Sequence, residues 1–79
     1  MLDGRAATTH WGSLDRLAAL GEGIDVRPDE RFVDAGDVIT AAGVSAGIDM
    51  ALHLVARLHS VERAKEIRRG IQYDPQPPV

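Results

Sequence analysis

The sequence contains no cysteine among its 79 residues. Without a thiol, this chain holds no disulfide framework, no thiolate metal site, no iron–sulfur cluster and no cysteine nucleophile. Because no disulfide has to form, a reducing compartment is permitted, and we expect the protein to be cytoplasmic.

Several other features are scarce. No run of about 18 apolar residues is present, so no membrane-spanning helix is expected. The first five residues lack the apolar segment of a signal peptide. The net charge is −3 and aromatic residues make up only 4% of the chain. A basic surface or a stacking platform for nucleic acid is therefore not expected, nor is binding to an anionic membrane.

The composition itself is that of a globular protein. Hydrophobic residues make up 44% of the chain and charged residues 27%, which indicates an apolar interior under a solvated shell. A length of 79 residues allows one domain or part of one. A chain of this size buries only about 60–65% of its unfolded surface, so its core is expected to be small.

Hydrophobic spacing and turn residues predict seven elements in the order β-α-β-β-β-α-α. Ser13 and Ser60 are the expected N-caps of the first and third helices, and Ala35-Gly36 suits a tight hairpin. Alternating strands and helices favour a layered α/β fold. The predicted strands cover 6–11, 24–27, 31–34 and 37–42, and the predicted helices cover 13–20, 45–59 and 61–69.

The longest predicted helix is apolar around most of its circumference. Its polar residues Asp49, His53 and Arg57 are spaced by four and form one narrow stripe. Such a helix requires burial on more than one side, and 79 residues can hardly provide it. We therefore expect exposed apolar surface and a tendency to self-associate.

The segment 43–47 reads Gly-Val-Ser-Ala-Gly and fits the G-x-S-x-G nucleophile elbow of hydrolases, after a strand and before a helix. That chemistry needs a histidine base from a separate loop. His53 and His59 instead lie on the helix that Ser45 opens and cannot fold back onto it. The spacing therefore favours a capped helix start, with glycines that permit close packing.

The three histidines show no metal-ligand spacing, so no metal is expected. His10 lies at the end of a predicted strand, where α/β domains place ligands, and both a structural and a ligand-facing role remain open for it. The basic residues of the last helix alternate with Glu62 and Glu66 at helix-pair spacing, which is typical of a solvated, internally paired face.

Residues 2–5, 7–11, 31–34, 38–49, 51–55 and 73–78 together resemble the C-terminal part of the ThiJ/PfpI superfamily of class I glutamine-amidotransferase-like proteins. Among these segments are Ala-Thr-Thr-His-Trp at 7–11 and Tyr-Asp-Pro at 73–75. The resemblance covers essentially the whole chain in order. It is greatest to the isonitrile hydratase branch, which is similar in turn to the sensor domains of AraC-type regulators.

This resemblance implies that residues 1–79 form the C-terminal half of a flavodoxin-like α/β sandwich. The family's active site is a cysteine on a strand-to-helix elbow, assisted by an acid from an early strand. The resemblance places the start of this chain after that elbow, without the N-terminal strands, the acid or the cysteine. The chain is then expected to be inactive alone and to use no cofactor.

The resemblance also implies which residues surround the family's small-molecule pocket: Thr9, His10, Trp11, Gly43 and Val44. It implies packing or dimer contact for the segment at Tyr73. The expected partner is either a second copy of the chain or a complementing N-terminal half. Three interpretations remain open: part of a hydratase, part of an AraC-type regulator followed by a helix-turn-helix, or a self-associating module.

Overall fold

The computed structural model describes residues 1–78, and these form the predicted order of elements. The fold class, a mixed α/β arrangement, is therefore confirmed. The elements are β1 (Ala6–Ala7), a 3₁₀ turn (Trp11–Ser13), α1 (Leu14–Ala18), β2 (Asp25–Val26), β3 (Phe32–Asp34), β4 (Ile39–Ala41), α2 (Ala46–Leu58) and α3 (Val61–Gly70).

The strands form two small sheets. β1 pairs with β2 in parallel, with Ala6 opposite Asp25, and β3 pairs with β4 antiparallel, with Val33 opposite Thr40. The predicted hairpin is thus confirmed. A side chain joins the two sheets, because the Thr8 amide donates to Thr40 Oγ1 at 2.9 Å.

The hairpin turn depends on Gly36, which has a φ of +95°. Few residues other than glycine adopt this left-handed conformation without strain. The Gly36 amide donates to Asp34 Oδ1 at 2.8 Å, and the Ala35 amide donates to the Val38 carbonyl at 2.9 Å. The turn therefore brings the Asp34 carboxylate back over its own backbone.

The first strand is shorter than predicted, and the prediction of a strand over 6–11 is wrong beyond Ala7. His10 ends the extended segment, because its Nδ1 accepts from the Gly12 amide at 3.1 Å and its carbonyl accepts from the Ser13 amide. Trp11 accordingly lies in the 3₁₀ turn. Ser13 occupies the predicted N-cap position of the first helix, but its side chain makes no capping bond.

The two C-terminal helices agree with their predicted extents to within a residue. Ser60 is extended, and its Oγ accepts from the Arg63 amide at 3.0 Å, so the predicted cap of α3 is confirmed. Glu62 in the first turn of α3 and Arg68 in the last complement the helix dipole. The helices α2 and α3 pack against each other, and α2 also covers β3 and β4.

The core is small. Its buried apolar side chains are Ala7, Leu17, Val33, Ala46 and Ala64, and Thr8 is the one buried polar residue within 1–78. The molecule measures 40 × 33 × 13 Å, with a radius of gyration of 14.0 Å against about 11.6 Å for a compact domain of this length. It is a plate little more than one layer of secondary structure thick.

A plate leaves much apolar surface in solvent, as the sequence predicts. The large hydrophobic residues that stay exposed are Met1, Trp11, Leu20, Val44, Ile48, Leu58, Val61 and Ile71. The accessible surface is 5812 Å², against about 4,700 Å² for a compact monomer of this mass. Self-association through this surface stays a prediction.

Candidate functional site

An open cleft of about 640 Å³ lies where three loops meet. Residues 9–11 follow β1, residues 28–31 precede β3, and residues 42–45 join β4 to α2. Ile48 from the first turn of α2 completes the lining. Loops at the ends of neighbouring strands are where α/β folds commonly place ligands.

All of the residues named by the family resemblance line this one cleft: Thr9, His10, Trp11, Gly43 and Val44. They come from two loops more than thirty positions apart in sequence, and the fold brings them together. Trp11 is 80% exposed and Val44 is 97% exposed. Their role as the lining of a ligand pocket stays a prediction.

His10 is held by its own turn. Its Nδ1 accepts from the Gly12 amide, so the neutral ring carries its proton on Nε2. The ring centroid lies 5.2 Å from that of Trp11. A Cβ at Gly43 would come within 3.3 Å of His10 Cδ2, so glycine at this position allows the 42–45 loop to approach the imidazole.

The G-x-S-x-G segment does not form a hydrolase site. His53 Nε2 is bonded to Asp34 at 2.7 Å, and His59 lies at the far end of α2. Ser45 occupies the N-cap position of α2, but its side chain makes no capping bond. Its Oγ instead accepts from Arg31 Nη2 at 3.3 Å.

The polar stripe of α2 attaches the helix to its surroundings. Asp49 binds the guanidinium of Arg31 and accepts a hydrogen bond from Tyr73. His53 and Arg57 both bind Asp34, at 2.7 and 3.1 Å. The spacing of four predicted the stripe itself. No pattern in the sequence indicated that Arg31, Asp34 and Tyr73 would be the partners of the stripe.

These contacts shift the pKa values of the acidic groups. The hydrogen bond from His53, followed by that from the Gly36 amide, holds the pKa of Asp34 below its ordinary value. Burial acts to raise the pKa of Asp49, but the hydrogen bonds from Tyr73 and Arg31 together bring it below the ordinary value. The same Asp49 contact raises the pKa of the Tyr73 hydroxyl.

A pH dependence of stability follows for Asp34. A carboxyl whose pKa is lower in the folded state stabilises that state above the unfolded value of 3.8, and this contribution is lost as the pH falls through the folded pKa. Asp34→Asn is therefore expected to lower the midpoint of thermal unfolding at pH 6. The difference from the parent chain should shrink steadily as the pH is lowered from 4 towards 2.

Circular dichroism at a series of pH values measures this difference. Asp74→Asn is the control, because Asp74 is bonded to Arg68 and Gln76 and, within residues 1–78, makes no hydrogen bond to the hairpin or α2. A difference between Asp34→Asn and the parent chain that is unchanged at acidic pH would contradict the prediction.

The internal pairing predicted for the basic face of α3 is found at one position, and the other pair joins the helix to the tail. Arg63 binds Glu66 at 3.0 Å, and Arg68 binds Asp74 at 3.2 Å. Within residues 1–78, no group of three His, Asp or Glu side chains converges at metal-binding distance. In the same part of the chain, no helix has the length and apolar character needed to cross a membrane.

Comparison with known proteins identifies the class to which this architecture corresponds. The fold superimposes on a ThiJ/PfpI family protein from Pseudomonas syringae, with a TM-score of 0.81 and 35% sequence identity, over 99% of this chain and 31% of that one. The ThiJ/PfpI resemblance and the flavodoxin-like α/β fold class are therefore confirmed. No family model matches the chain.

The particular relatives are of two kinds. The chain is 41% identical to the isonitrile hydratase of Pseudomonas putida over 78 residues, which are 99% of this chain and 33% of that protein. It is 37% identical to the HTH-type transcriptional regulator CdhR of Pseudomonas aeruginosa over 67 residues, 85% of this chain and 20% of that protein. The chain thus spans at most about a third of these relatives.

Proposed function

We propose that this chain forms one wall of the substrate cleft of an isonitrile hydratase-type lyase and is inactive without the part of the fold that supplies the nucleophile. One observation carries the proposal. The residues that the family resemblance names for the pocket surround a single cleft, in a chain that contains no cysteine.

The reaction adds water to the terminal carbon of an isonitrile and gives an N-substituted formamide. The family resemblance implies that the reaction begins with attack by a cysteine thiolate. That step requires the thiol and an assisting acid. This chain would contribute the walls around that carbon: the apolar surfaces of Trp11 and Val44 and the hydrogen-bonding imidazole of His10. It requires no cofactor in this role, and we propose that it acts in the cytoplasm.

The partner that we propose is the complementing N-terminal part of the same fold, which is more than a half because this chain spans only about a third of its relatives. The accessible surface of 5812 Å² exceeds that of a compact monomer by about 1,100 Å², and one side of a stable interface commonly buries about 800 Å². Trp11, Val44 and Ile48 carry exposed apolar surface at the open side of the cleft. Docking there would bury them and enclose the ligand.

Reconstitution tests this function. The purified chain is assayed for formamide production from an aryl isonitrile, alone and after mixing with Pseudomonas putida isonitrile hydratase from which the matching 78 residues have been deleted. We expect no turnover by either part and turnover by the mixture. Turnover by the mixture should be lost when the nucleophilic cysteine of the truncated hydratase is changed to serine.

Two outcomes would contradict the proposal. The first is turnover by the chain alone. The second is a stable complex of the two parts with no turnover, which would leave the chain a structural partner only. Sedimentation of the chain alone addresses the competing homo-oligomer: a well-folded monomer would exclude self-association as the way in which its apolar surface is covered.

A second candidate rests on the similarity to the HTH-type regulator CdhR. In that case the cleft would belong to a ligand-sensing domain of an AraC-type regulator, and a small molecule would bind without being converted. The flanking nucleotide sequence separates the two candidates. An upstream reading frame that encodes a cysteine elbow, with no helix-turn-helix downstream, supports the hydratase. A downstream helix-turn-helix supports the regulator.

A further inference from the structure

The C-terminal tail, residues 71–78, makes a polar contact with the start of α2. Tyr73 is half-buried, and its hydroxyl donates to Asp49 Oδ1. The same hydroxyl lies 3.5 Å from the Ser45 carbonyl oxygen. The tail therefore reaches the loop that forms one side of the cleft.

The Asp49 carboxylate continues this connection. Its second oxygen, Oδ2, accepts from Arg31 Nε, and Arg31 Nη2 donates to Ser45 Oγ at 3.3 Å. Arg31 and Ser45 both line the cleft, whereas Asp49 and Tyr73 do not. The Asp49 carboxylate, with 21% of its side chain exposed, thus joins the tail to Arg31 by charge-assisted hydrogen bonds, and Arg31 in turn reaches Ser45.

Tyr73 is itself fixed in place by α3. Its amide donates to the Arg68 carbonyl at 2.9 Å, and its carbonyl accepts from Arg68 Nε, also at 2.9 Å. The Arg68 guanidinium binds Asp74 as well. The backbone of Tyr73 is therefore fixed to α3, and this limits the positions that its phenol can take.

We propose that Tyr73 and Asp49 are positioning residues of the cleft, which hold Arg31 and the loop 43–45 in place, so that the tail sets the shape of the lining. This goes beyond packing or dimer contact as the role of the Tyr73 segment. It concerns the geometry of the cleft and holds for a hydratase and for a sensor alike, so it does not depend on the proposed function.

Amide hydrogen exchange in the full 79-residue chain tests the inference. The first turn of α2 reports on the loop, because the Ala46 amide donates to the Gly43 carbonyl and the Ile48 amide donates to the Ser45 carbonyl. Tyr73→Phe removes only the hydroxyl. We expect exchange at Ala46 and Ile48 to become roughly tenfold faster, as for the loss of a hydrogen bond to a charged acceptor, and the Arg31 Nε–H resonance to shift.

Glu66→Gln is the matched control, because Glu66 pairs with Arg63 on α3 and, within residues 1–78, makes no hydrogen bond to Tyr73, Arg68 or the cleft. It should leave exchange at Ala46 and Ile48 unchanged. Asp49→Asn supplies a second variant: it should shift the Arg31 resonance while the Tyr73 amide, which is bonded to Arg68, keeps its exchange rate.

Two results would overturn the inference. One is a Tyr73→Phe chain in which the Arg31 resonance and the α2 amides are unchanged. The other is an equal acceleration of exchange throughout α3 and β1, because a general loss of stability would then explain the effect and the tail would have no specific influence on the cleft.

Discussion

A chain carrying Leu17→Ala is expected to lose about 3 kcal/mol of its free energy of unfolding. Leu17 is 6% exposed and is the largest side chain in a core whose other members are alanines and one valine. The total free energy of unfolding of a 79-residue domain is about 4–12 kcal/mol. One substitution would therefore remove a large part of it and lower the thermal midpoint by about 12 °C or more.

Leu20→Ala is the matched control, since it makes the same change three positions further along the chain. Leu20 is 74% exposed, so its truncation should change the free energy of unfolding by less than about 0.5 kcal/mol. Urea denaturation followed by circular dichroism measures both values. Equal losses in the two variants would show that the core is not centred on Leu17.

The second large effect is expected at Gly36, where Gly36→Ala should destabilise the chain by about 1–2 kcal/mol. No atom lies within 4 Å of a Cβ built there, so the loss would come from the φ of +95° alone. Relaxing that angle would also move the Gly36 carbonyl, which accepts from Arg57 at 2.6 Å. The hairpin and α2 would then lose one of their connections.

The same substitution at Gly47 is expected to have the opposite sign. Gly47 lies in the first turn of α2, has an ordinary helical φ and likewise has no atom within 4 Å of a built Cβ. Gly47→Ala should stabilise the chain by about 0.5–1 kcal/mol, because it reduces the freedom of the unfolded chain. If the two glycine variants moved the thermal midpoint in the same direction, the assignment of Gly36 to a strained turn would be wrong.

Local signals predicted most of the fold. The order of elements, the hairpin at Ala35-Gly36 and the cap at Ser60 each depend on residues that are close in sequence, and turn and cap preferences act at that range. The predicted extent of the first strand was wrong, because a turn outweighs the β-propensity of Thr8, Thr9 and Trp11. His10 starts that turn by accepting the Gly12 amide on its own ring, a choice that propensity does not register.

The cleft could be predicted only through the family resemblance. No spacing in the sequence indicates that Trp11 and Val44 line the same cleft, since the packing of the hairpin between β1 and α2 decides it. The links through Arg31, Asp49 and Tyr73 were missed for the same reason. Each link pairs residues that are 18 or more positions apart. The polar stripe of α2 indicated Asp49 but not the residues that bind it.

The thinness of the plate has a consequence for how much sequence variation the chain can tolerate. With few side chains buried, most substitutions at the remaining positions should fall within about 0.5 kcal/mol of neutral for folding. A scan of all single substitutions scored by abundance would then show little restriction at Trp11 and Val44. If substitutions at these two positions are poorly tolerated only when the chain is scored in its complete assembly, the cleft and its partner impose the limit. Such a scan would separate the residues needed for the cleft from the residues needed for folding.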